Sequence, residues 1–210
     1  VEIGVRSALA AARSHYRTRA PLILFLLLGW ALEWVVLEVL VIWIGSPPGR
    51  PIWLLLHLGY FWGTAYWEVA ILRAALGQFD GVGAALGVLV EAHGAAFNLL
   101  GLKLILIPAV ILGLALGVVP GLLILARFGL APFYLADRAS RPGVALAASR
   151  HATAGRTARL LFLWLVLIVF NTLGAASLGV GLLVTIPMTS LAGAALFQSL
   201  DGTPRESRAS

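Results

Sequence analysis

The chain has 210 residues, of which 60% are hydrophobic and only 11% charged. A soluble domain carries about 25% charged residues to keep its surface wet, so a soluble globular fold is excluded, and the long apolar runs point to a bilayer. The balance of 15 Lys+Arg against 9 Asp+Glu gives a formal charge of +6 and cysteine is absent. Disulfides and thiolate chemistry are therefore ruled out.

In chain order, residues 1–19 place Arg6, Arg13, Arg17 and Arg19 among Val5, Leu9 and alanines, the pattern of a basic amphipathic surface helix. A signal peptide is the competing reading. The apolar run 20–45 is too long for its core, contains two glutamates and is followed by no small-residue cleavage site. It reads as a retained first transmembrane span. The Ser46-Pro47-Pro48-Gly49 turn leads to a second span at 51–76. Residues 78–94 are too glycine-rich and too short of apolar length to cross, and read as an interfacial helix or a re-entrant stretch. The third and fourth spans, 95–117 and 120–136, are separated by a tight turn at Val118-Val119-Pro120-Gly121, where Pro120 opens a helix at a position whose missing N–H costs nothing. Residues 137–156 are polar and basic, a second surface segment. Spans five and six follow at 157–173 and 180–200, and 201–210 form a polar cytoplasmic tail.

The expected fold class is thus an all-α integral membrane protein, six transmembrane helices arranged as three hairpins, with basic amphipathic surface helices. With both termini in the cytoplasm, Arg50 is the one basic residue of the external turns. Arg73, Arg138, Arg141, Arg150, Arg156, Arg159, Arg205, Arg208 and the four N-terminal arginines all lie at cytoplasmic ends. That positive-inside bias assigns the chain to a bacterial inner membrane, with anionic lipid on the cytoplasmic side as a partner and no role for nucleic acid.

One stretch carries a resemblance. Val119-Pro120-Gly121, Arg127, the run Pro132-Phe133-Tyr134-Leu135-Ala136-Asp137, the run 144–149, Thr153-Ala154-Gly155-Arg156 and the run 181–187 ending at Pro187 follow one another in order. Over about 98–202 the chain resembles uncharacterised bacterial six-helix membrane proteins related to the membrane domain of glycerophosphodiester phosphodiesterases. Some members of that family join the membrane domain to a phosphodiesterase domain. This chain has none, so the resemblance implies a fold and no catalytic residues.

Ionisable groups inside spans each need a partner or a purpose, because a charge at the centre of a membrane helix costs about 3 kcal/mol on insertion scales. Counting depth at about 1.5 Å per residue matches Glu33 with Arg127, Glu68 with Lys103 and, less closely, Glu38 with His57. The plain reading is struts that fix helix neighbours, and the sharper one is a path for a proton, ion or small solute. His57 and His93 lack the paired spacing of haem or pigment ligands, and no cofactor or metal is expected. Trp30, Trp34, Trp43, Trp53, Trp62 and Trp67 crowd the outer halves of the first two spans, more than an interfacial belt requires, and suit a protein or lipid interface. Pro108 and Pro187 interrupt the third and sixth spans, while Gly59-x-x-x-Gly63 and Gly113-x-x-x-Gly117 permit close helix approach. There is no P-loop, His-Glu-x-x-His or Gly-x-Ser-x-Gly. The expected function is non-catalytic: an accessory or structural subunit docking in a larger membrane complex or envelope-maintenance system, with a small transporter or channel as the alternative.

Overall fold

A computed structural model describes residues 5–45, 48, 50–138, 140–177 and 181–201, with side chains for residue 10 and from residue 12 onward. Within these residues the chain is helical and holds no strand: α1 (Val5–Ile44), α2 (Pro51–Leu76), α3 (Val82–Glu91), α4 (His93–Ala115), α5 (Val118–Phe128), α6 (Ala131–Arg138), α7 (Pro142–Ala152), α8 (Thr157–Ala176) and α9 (Leu182–Asp201). The tail from 202, most of the 46–49 turn and residues 178–180 lie outside the described residues, as do the side chain of Arg6 and both tail arginines.

Five segments are long and apolar enough to cross a membrane: Ala12–Ile44, His93–Ala115, Val118–Arg138, Thr157–Ala176 and Leu182–Asp201. The expected second span is not among them. At 26 residues α2 is long enough, but it carries Trp53, Tyr60, Trp62, Tyr66, Trp67, His57, Glu68 and Arg73 among its apolar residues.

The expected joint between a surface helix and a first span is not a break. Pro21 sits inside one continuous helix of 40 residues. Proline removes one N–H, yet buried contacts on both sides of it hold the helix together: Ala12 before it, Ile23 and Leu26 after it, all at 0% exposure. The basic N-terminal stretch therefore docks on the bundle, where Ala10 and Arg13 lie beside Leu167, Phe170 and Met188.

The turn before α5 is also placed differently. Gly117, at φ 142°, makes it, so Pro120 and Gly121 fall inside α5. Gly121 instead serves packing. A Cβ on Gly113 would lie 2.9 Å from its Cα, so α4 and α5 approach backbone to backbone. The expected fourth span is divided at Gly129-Leu130. Pro132 has no N–H to return to Phe128, and Gly129 lies under the Trp164 ring, 2.7 Å from where its Cβ would stand. The expected interfacial stretch holds the short helix α3, and the second surface segment holds α7.

The core is built where α2, α4, α6 and α9 meet. Its largest fully buried side chains include Phe197, Leu99, Leu102, Leu130, Leu135 and Leu196. Phe197 stacks on Phe133 at 6.2 Å and meets Tyr134 edge-on at 4.8 Å. α2 and α4 cross: Tyr66 touches His93 while Glu68 reaches Lys103, so two residues of α2 meet ten residues of α4. Ala65, Val69, Ala96 and Leu99, all fully buried, let the helices approach at that crossing.

Candidate functional site

Among the places where polar residues of the helices gather, three involve residues of α2. The first is the seam between α1 and α2, which run antiparallel through Arg19–Ala75, Glu33–Trp67 and Glu38–His57. His57 Nδ1 donates to the Trp53 carbonyl at 2.9 Å, which turns Nε2 toward Glu38 Oε1 at 3.9 Å. The Trp53 and His57 rings stack at 4.0 Å. Deeper in the seam Trp67 Nε1 donates to Glu33 Oε2 at 2.5 Å, and the other carboxylate oxygen rests over Gly63, where a Cβ would overlap it. The Trp67 ring in turn lies over Gly29.

The second place is the α2–α4 crossing, where Lys103 Nζ and Glu68 Oε2 form an ion pair. Depth matching thus names partners that meet at Glu68–Lys103 and Glu38–His57, but Glu33 and Arg127 do not meet. The reason is neighbourhood: α1 packs on α9 and α2, whereas α5 packs on α4 and α8. Arg127 is exposed on α5. Its backbone does the structural work, for the α5–α6 break withdraws the helical partner of its carbonyl, and Ser149 Oγ of α7 donates to that oxygen at 2.8 Å. Thr153 Oγ1 stands 3.2 Å from the same oxygen. Ser149 and Thr153 are both buried, so the expected surface segment is tied into the break.

The third place is a set of helix ends that sequence reasoning missed. The final turn of α2 closes on Gly77 at φ 72°, with Gly77 N–H bonded to the Ala74 carbonyl and Gln78 N–H to that of Arg73. The next two carbonyls are met from afar, Ala75 by buried Arg19 at 2.7 Å and Leu76 by Gln198 at 3.1 Å. All four terminal carbonyls of α2 therefore have donors, and Arg19 adds a positive charge at the negative end of the helix. Nearby, Arg73 donates to the Ala136 carbonyl, Gln78 to Asp137, and Arg138 forks onto Asp201 at 2.7 and 2.8 Å. The Gly77 stop was visible in the sequence, but donors 56 and 122 residues away leave no local signal.

The tryptophans divide. Trp34, Trp43 and Trp62 are exposed, and Trp30, Trp53 and Trp67 are partly buried. Pro108 lies inside α4 and buried Pro187 inside α9, neither ending its helix. Of the spaced glycines, Gly113 and Gly63 make close approaches, whereas Gly59 faces open space. A cavity of about 310 Å³ opens between α4, α5 and α8, lined among others by Leu106, Val110, Phe128, Pro132 and Trp164. Set against known proteins, the chain matches no family model, no curated protein and no solved structure.

Proposed function

We propose that this chain is a non-catalytic accessory subunit that docks in a larger assembly of a bacterial cytoplasmic membrane through the outer arm formed by α1 and α2. The observation that carries the reading is how little of that arm is covered. From Leu28 to Ile44 only Val41 of α1 is buried, and α2 buries nothing before Ala65. Trp43 stands 82% exposed and Trp34 49%. Lipid alone can cover aliphatic side chains, but the arm also shows Glu38, whose side chain is 39% exposed. Hydrocarbon is a costly neighbour for a carboxylate, while aromatic residues are enriched in the buried centres of protein interfaces. A photo-crosslinking residue at Trp34 or Trp62 is expected to give discrete protein adducts in mild detergent, and one at Ile111 or Val169 only lipid adducts. Lipid adducts alone at all four positions would refute docking.

A second reading, a conduit for a proton, ion or lipid-like solute along Glu33, Glu38 and His57, draws support from Glu33, which has no ion-pair partner among the described residues. It predicts that Glu33→Gln stops flux in a folded protein.

Both readings use a six-span, three-hairpin topology with cytoplasmic termini, in which α2 crosses despite its aromatic content. The arginine distribution supports this, and so does the likeness over 98–202 to the six-helix membrane family. Because the chain is free of cysteine, single cysteines report sidedness directly. Arg50→Cys is expected to react with a membrane-impermeant maleimide in intact cells, and Gln78→Cys and Arg141→Cys only after permeabilisation. Equal labelling at 50 and 78 would remove α2 from the count.

A further inference from the structure

We propose that the face where α5, α7 and α8 meet binds an anionic phospholipid, with its phosphate on Arg127, Arg150 and Arg156 and an acyl chain in the cavity between α4, α5 and α8. Counted along the chain, Arg127 falls in the middle of the apolar segment Val118–Arg138. At the break after Phe128, however, Ser149 of α7 bonds the Arg127 carbonyl, which sets the basic last turn of α7 beside it. One buried threonine joins the three arginines. Thr153 Oγ1 lies 3.2 Å from the carbonyls of both Arg127 and Arg150, and the Thr153 carbonyl accepts the Arg156 N–H at 3.1 Å. These contacts use only the backbone of each arginine. All three residues are exposed, and none has an ion-pair partner among the described residues. A guanidinium stays charged, so three uncompensated charges beside an apolar segment call for an anion. Phosphate suits the forked N–H donors of arginine.

The cavity indicates what carries the anion. It encloses about 310 Å³ between apolar walls, among them Ile107 and Ile111 of α4, Ile124 and Phe128 of α5, and Trp164 of α8. That volume is within the range of ligand sites. Arg127 stands between Ile124 and Phe128 in α5, so charge and cavity adjoin. Ile107 and Ile111 are also exposed, which opens the cavity on the outer side of the bundle, toward lipid. A free phosphate would satisfy the arginines and leave the cavity empty. A zwitterionic lipid would fill the cavity but bring an ammonium group among three arginines, whereas a net negative headgroup is attracted by each of them. The site shares no residue with the α1–α2 arm, and either proposal can fail without the other.

The test uses the full chain, delipidated in mild detergent, with native mass spectrometry counting the lipid retained per chain. Phosphatidylglycerol is the probe, compared with phosphatidylcholine of the same acyl chains and challenged with soluble glycerol phosphate. One phosphatidylglycerol per chain is expected, held about tenfold more tightly than phosphatidylcholine and not displaced by glycerol phosphate. The double variant Arg127→Gln with Arg156→Gln should weaken its binding about tenfold or more, while Arg50→Gln, at the start of α2, should leave it unchanged. Val110→Phe adds bulk to the cavity wall and keeps every charge. It should weaken binding as well, and it stands in should the arginine variant not accumulate. Equal retention of the two lipids, displacement by glycerol phosphate, equal losses in the arginine double variant and Arg50→Gln, or unchanged retention in Val110→Phe would each overturn the proposal.

Discussion

Replacing Lys103 by methionine is expected to lower the unfolding midpoint of the detergent-solubilised protein, with a loss of about 1 kcal/mol, the upper end for a partly covered ion pair, since the side chain of Lys103 is 22% exposed and that of Glu68 37%. Methionine keeps most of the side-chain volume, so the loss is electrostatic. Glu68 stays behind at the α2–α4 crossing, partly exposed itself beside the fully buried Ala65 and Val69 of its own helix. Its carboxylate then lacks its counter-charge. The double replacement Glu68→Met with Lys103→Met removes both charges and should recover most of the loss, because no carboxylate is left without its counter-charge. Intrinsic fluorescence during heating measures all three variants against the wild type. If the double variant is as unstable as the sum of the singles, the pair is not coupled and the crossing is held by packing alone.

The second large effect is expected at the α5–α6 break. Ser149 Oγ has one proton and its 2.8 Å contact with the Arg127 carbonyl as its use. Thr153 Oγ1 also has one proton, but three carbonyls within reach, those of Ser149 at 2.9 Å, Arg150 at 3.2 Å and Arg127 at 3.2 Å. Ser149 is therefore the principal donor and Thr153 its substitute. Ser149→Ala alone should cost under about 1 kcal/mol, since the threonine can rotate its proton to Arg127. The double variant Ser149→Ala with Thr153→Val leaves the part-buried carbonyl without either hydroxyl, at a cost of about 1 kcal/mol or more. The signature is non-additivity, read as the unfolding midpoint together with protease sensitivity around Arg141, where α7 would come loose. Additive small losses would mean that the break does not depend on these hydroxyls.

These two sites mark how far the residues could be read in advance. Local punctuation was legible at the second span: the expected bounds 51–76 are those of α2, which opens on Pro51 and stops at Gly77. The division of the fourth span was not foreseen, although Gly129 and Pro132 were both visible, because a run of apolar residues reads as one helix until a partner for the freed carbonyl is known. Depth along a helix follows from counting, and it named Glu68 with Lys103 and Glu38 with His57, which the structure brings together. Depth equally named Glu33 with Arg127, which belong to helices with different neighbours.

The sequence by itself determined the material class and the one-dimensional plan: apolar helices in place of a wet surface, their approximate ends, the basic segments between them and the absence of thiol chemistry. Only the tertiary structure decided which helices touch, that α2 and α4 cross, that the N-terminal stretch docks beside α8, and that Arg19 and Gln198 complete the end of α2. The physical reason is that a helix in a membrane is apolar on the side facing lipid and on the side facing its neighbours. The amphipathic pattern that orients a helix in a soluble protein is therefore faint here. What orients these helices is close approach at Gly113, Gly121 and Gly129 and the need of each freed carbonyl for a donor, and both are properties of pairs that no single segment contains.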